Sequence, residues 1–77
     1  MITGAQIRRA RELVGWKRST LATRARIRLA ALIRAEGTDG LPAVSASEAE
    51  RMQKAFEAAG VLFTGGERSG VKLRKSS

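Results

Sequence analysis

Apolar positions along the chain recur with a helical period near each end and alternate only at the C-terminus. Ile7, Ala10, Leu13 and Val14 stand at i, i+3, i+6 and i+7, one face of a helix. Thr3 and Gln6 precede them as a capping box, in which the hydroxyl accepts from a first-turn amide and the carboxamide reaches back. Gly15 follows, the residue that adopts a left-handed closing conformation at least cost. The spacing predicts a helix over about 4–14, with Trp16, the only tryptophan, as a core anchor just beyond it. Ala49, Met52, Ala55, Phe56 and Ala59 form the stripe of a second helix, over about 46–59. Ser45 with Glu48 is its capping box, Ser47 with Glu50 a rival one, and Gly60 its end. Val61 to Thr64 then read as a strand, GGERSG as a loop, and Val71 and Leu73, alternating with Lys72 and Arg74, as a second strand. A lone two-stranded ribbon is marginal in water, so this one must lean on the preceding helix or pair with another chain.

The stretch KRSTLATRARIRLAALIRAEG supports two readings. On a single helix over about 18–36, Leu21, Ala25, Leu29, Leu32 and Ile33 fall within about 120° of arc. On two short helices broken near 26–27, Ile27 can turn inward as a plug. On an unbroken rod the same residue would sit about 120° from Leu21, on the basic side between Arg24 and Arg28. Turn chemistry does not decide, because Gly, Asn and Pro are all missing between 17 and 36. Residues 37–42 (GTDGLP) are a loop by composition.

Composition narrows the function classes. At 77 residues the chain has room for one domain with a thin core, and 43% hydrophobic content is enough to fold one. There is no cysteine and no histidine. That removes disulfides, thiol nucleophiles and the usual zinc and imidazole chemistry. The sequence also holds no convergent carboxylate pair and no GK[ST] or GxGxxG phosphate loop. We expect no enzymatic activity, no metal and no cofactor. Apolar runs fall far short of the roughly 20 residues of a membrane span, and the first residues lack the apolar segment of a signal peptide. The expected setting is the cytoplasm, in association with the nucleoid, with no membrane partner.

Charge sharpens this. Fifteen Lys and Arg oppose seven acids for a net +8, and eleven of the fifteen are Arg. Residues 1–35 carry nine basic side chains against one acid, residues 36–67 a net −4, and residues 68–77 a net +4. A basic front and an acidic middle suggest one face for a polyanion and another turned away from it.

The run Ile7-Arg8-Arg9-Ala10-Arg11-Glu12-Leu13-Val14-Gly15-Trp16, followed by Leu21-Ala22, Ala25, Ile27, Leu32 and Glu36-Gly37, resembles the small helix-turn-helix domains of the phage-repressor/Cro type, the XRE-like regulators. Ala58 to Phe63 and Gly70 to Lys75 resemble a short bacterial subgroup that ends in a hairpin. The resemblance implies a mainly α fold of four to five short helices with a C-terminal two-stranded β-hairpin. It implies a DNA-binding domain over 1–60, a hairpin over 61–75 that dimerises, and a disordered tail at 76–77. It also decides for two helices, about 17–24 and about 28–36, the second lying in the major groove of double-stranded DNA. The implied function is transcriptional regulation by a homodimer that binds specific sequences.

Carried onto this sequence, the resemblance makes Arg28, Leu29, Ala30 and Arg34 base-facing, puts Arg18 on a phosphate or an outer base, and pairs Arg11 with Glu36 as a structural brace. Lys17, Arg18 and Arg28 fall at helix N-termini, the unfavourable end for a cation by about 0.3–1 kcal/mol each at low salt. Phosphates docked there would reverse that sign; a plain solvated face is the other explanation. Arg8 and Arg9 read as solvated or as generic phosphate contacts. The chain departs from the family where Lys17 and Arg28 replace Ser or Thr caps, Arg26 replaces the Gly of the turn, and Ala31 replaces a Thr. Leu29 and Ile33 are apolar on a helix expected to be polar outward. They can be core, a contact with thymine methyls, or an apolar patch for a protein partner. The last gives a second function reading, an adaptor that contacts transcription machinery or another regulator. Phe56, Val61, Phe63, Val71 and Leu73 are the expected dimerisation residues.

Overall fold

Two of the helices end on the same backbone device. α1 (Gly4–Val14) is closed by Gly15 at φ 69° and ψ 26°, and α2 (Arg18–Ala25) by Arg26 at φ 58° and ψ 47°. At the first end, Gly15 N–H donates to Glu12 at 3.2 Å and Trp16 N–H to Arg11 at 3.0 Å. At the second, Arg26 N–H donates to Thr23 at 3.3 Å and Ile27 N–H to Ala22 at 3.0 Å. Both are Schellman closures, in which the apolar residue after the left-handed one folds back onto the helix. Trp16 and Ile27 accordingly pack against the core. The chain therefore breaks at 26–27 without a Gly, Asn or Pro, and the unbroken rod over 18–36 is excluded.

The computed structural model describes residues 2–40, 44–64 and 70–73. Beyond α1 and α2 come α3 (Leu29–Glu36), α4 (Ala46–Ala58), β1 (Val61–Thr64) and β2 (Gly70–Leu73). The fold is mainly helical with one small antiparallel sheet. The C-terminal tail at 76–77, part of the first glycine loop (41–43) and most of the second (65–69) lie outside the described residues. Both capping boxes form: Thr3 with Gln6 on α1, and Ser45 with Glu48 on α4, the rival Ser47 box being displaced. Among the described residues, no helix is long and apolar enough to cross a membrane.

Ile7, Leu21, Leu32, Met52, Phe56 and Val61 are the largest fully buried side chains, one or more from each helix and one from β1. Trp16 stacks on Phe56 with ring centroids 5.4 Å apart, and Phe63 meets Phe56 edge-on at 5.9 Å. Pairing of Val61 with Leu73 and of Phe63 with Val71 sets the inner face of the hairpin. The ribbon leans on α1 and α4, and Gln6 Nε2 donates to the Gly70 carbonyl at 3.1 Å. This corrects part of the expected dimer surface. Phe56 and Val61 are wholly buried in the chain's own core and offer nothing to a second copy. Phe63 and Val71 are partly covered by the same core. Leu73 stays exposed, as does Leu62 on the opposite face.

Candidate nucleic-acid interface

α3 buries Ala31, Leu32, Ala35 and Glu36. Helical geometry then turns Leu29, Ala30, Ile33 and Arg34 to the other side, where all four are exposed. Leu29 is 46% and Ile33 52% accessible, which rules out the core reading of this pair. The two N-caps on this side, Lys17 for α2 and Arg28 for α3, make no side-chain cap hydrogen bond, and neither helix has an acid in its first turn. Both N-termini thus present free amide donors beside cationic side chains.

Glu36 is the acid that organises this region. It is only 5% accessible. Arg11 holds it with two bonds, Nε to Oε2 at 2.9 Å and Nη2 to Oε1 at 3.0 Å, a planar fork on a carboxylate. Arg11 also donates to the Trp16 carbonyl at 3.2 Å, so one guanidinium ties the end of α1 to the end of α3. Arg18 Nε reaches the same carboxylate at 3.3 Å. Arg18, expected on a phosphate, therefore has a structural partner as well, because the first turn of α2 lies beside the last turn of α3. Arg8, expected to be solvated or on a phosphate, is instead bonded within the fold. It donates to the Glu36 carbonyl, to Asp39 Oδ1 and, at 3.3 Å, to the Thr38 carbonyl. A cation at the C-terminus of α3 satisfies carbonyls that the helix leaves open. The acidic middle of the sequence is thus not simply a far face, since Glu36 and Asp39 fold back onto the basic front.

The arginines of the front divide by what they touch. Arg8, Arg11 and Arg18 are held by carbonyls and carboxylates, and the Arg24 guanidinium lies 5.0 Å from the centre of the Trp16 ring, a cation–π contact. Among the described residues, the side chains of Arg9, Lys17, Arg26, Arg28 and Arg34 make no hydrogen bond or ion pair. All five are exposed. Arg26 and Arg28 flank the inward-facing Ile27 at the entry to α3. The sequence points to Lys17, Arg28 and Arg34 as contacts and not to Arg26. Its signal is the departure at the turn, where the family that the sequence resembles has Gly and this chain has a cation.

One cation from α4 joins this set. Arg51 Nη1 donates to the Arg26 carbonyl at 3.3 Å. Glu48 lies close by: its capping bonds with the backbone and hydroxyl of Ser45, then the nearby Arg34 and Arg51, hold its carboxyl below the ordinary range. The described residues contain no cluster of acids that could hold a metal ion. Comparison with protein-family models, curated proteins and solved structures gave no match to this chain.

Proposed function

We propose that the protein is a transcriptional regulator of the XRE-like helix-turn-helix type, binding double-stranded DNA as a homodimer with α3 in the major groove. The observation that carries this reading is the exposed face of α3. Leu29, Ala30, Ile33 and Arg34 are exposed there, beside cations that are unpaired among the described residues, while the one acid of α2 and α3 is buried. Phosphate contacts from Lys17 and Arg28, with the amides of the two N-termini, supply affinity. Arg34 supplies discrimination through guanine, and Leu29 and Ala30 through thymine methyls. Two half-sites would lie about 34 Å apart or an integral number of turns away.

The test is capture of genomic fragments, followed by binding of the enriched duplex at about 150 mM salt. Arg34→Ala should lose about ten- to a hundredfold on that duplex, the worth of a bidentate base contact. Unchanged binding removes Arg34 as a reader. The exposure of Leu29 and Ile33 favours a second reading, the adaptor that docks transcription machinery through this apolar face. Leu29→Glu separates the two: loss of a protein contact with DNA binding intact selects the adaptor.

A further inference from the structure

We propose that Arg26 and Arg51 form a phosphate-binding pair beside α3, a contact with the DNA backbone made jointly by the turn and α4. Arg26 is the one non-glycine residue at positive φ among the described residues. A left-handed conformation disfavours any side chain bearing a Cβ, and glycine would close the same Schellman turn with less strain. Gly15 closes the equivalent turn after α1 at nearly the same angles. The strain at Arg26 is not offset by packing, since the side chain is exposed and its guanidinium is unbonded among the described residues. Strain kept at such a position points to a task for the side chain.

Arg51 supplies the second half. It is the sixth residue of α4 and reaches across to the turn, donating one N–H to the Arg26 carbonyl. That bond holds the Arg51 guanidinium against the backbone of the turn from which the Arg26 side chain projects, and the acid near Arg51, Glu48, accepts from Ser45. A phosphate brought to this turn can accept from both side chains, a doubly coordinated arrangement that guanidinium groups favour. Arg28, two residues along the chain and also unbonded, carries the same surface on to the start of α3. The inference rests on the DNA-binding reading, and adds a backbone contact from an element outside the helix-turn-helix.

The experiment is fluorescence anisotropy of the full chain with a mixed-sequence 20-base-pair duplex between about 50 and 200 mM salt, beside thermal melts. Arg26→Gly should raise the melting temperature by about 3–6 °C and yet weaken binding about three- to tenfold. Its log K against log salt slope should fall by about one contact. Arg51→Gln should lower the slope by a similar step with little change in melting, and the double variant should lose both. Lys54→Gln, on the same helix but paired with Glu50, is the control and should bind like wild type. Wild-type affinity and slope in Arg26→Gly and Arg51→Gln would overturn the pair and leave the DNA-binding reading standing. No binding of any duplex by the wild-type chain would overturn both.

Discussion

Gly4 shows how much one hydrogen atom decides here. Its N–H donates to the Gly40 carbonyl at 2.8 Å, and a Cβ at this position would overlap the Thr38 carbonyl oxygen and lie 2.5 Å from that of Ala35. In an exposed helix a Gly→Ala change gains about 1 kcal/mol. Here Gly4→Ala should lose at least about 2 kcal/mol, because the obstacles are backbone atoms that cannot rotate away. Urea unfolding reads the sign directly. Glu36 is a second residue on which the same region depends. Glu36→Gln leaves the fork of Arg11 half-paired in a mostly buried place, at a cost of about 3 kcal/mol, the low end for a broken buried pair because Arg18 remains more than half exposed. Arg11→Met should cost at least as much as Glu36→Gln, since it leaves the more deeply buried charge, the Glu36 carboxylate, with only the 3.3 Å contact from exposed Arg18.

At the scale of elements, the four helices are stabilised in unequal ways. α1 and α4 carry full capping boxes, while α2 and α3 begin on uncapped cationic residues. Ser45→Ala should cost about 1 kcal/mol and fray the first turn of α4. The same turn carries a pH dependence. Glu48 titrates below its ordinary value when folded, so the unfolded chain binds more protons through the acid range. The contribution is complete above the ordinary carboxylate pKa and is lost as pH falls through the depressed one. Amide exchange in the first turn of α4 should therefore quicken on acidification, and Ser45→Ala should blunt that response. α2 and α3, by contrast, hold together through Glu36 and the Ile27 plug. Their N-termini remain open to a ligand for the same reason that they are weak as isolated helices.

For the molecule as a whole, the division of labour among cations is the main consequence of folding. Of the front's basic residues, Arg8 and Arg11 of α1 and Arg18 of α2 brace α3, Arg24 lies over Trp16, and Arg9, Lys17, Arg26, Arg28 and Arg34 are left outward. A homodimer should form through the surfaces that folding leaves uncovered, Leu62 and Leu73 on the hairpin, and not through Phe56 or Val61. Light scattering after size exclusion should give twice the chain mass at high micromolar concentration, and Leu73→Glu should shift it to the monomer without lowering the melting temperature. A monomeric wild type would remove the hairpin from this role.

The helices over 4–14 and 46–59 and the hairpin were legible because their apolar spacing, caps and closing glycines agree with one another. The break at Ile27 was not legible in local chemistry, since an arginine holds the turn that a glycine usually marks, and the periodicity of 18–36 allowed a continuous rod. The sequence leaves the exposure of Leu29 and Ile33 open, because an apolar pair at helical spacing fits the core, a thymine-methyl contact or a partner patch until the neighbouring elements are placed. Pattern alone therefore determined the element types, the basic front and the lack of histidine or cysteine chemistry. Tertiary structure decided which arginines are structural, that Glu36 is buried between two of them, and that Arg51 of α4 meets the turn at Arg26. Those outcomes depend on which side chains meet across 18 to 28 residues of chain, and no local period carries that information.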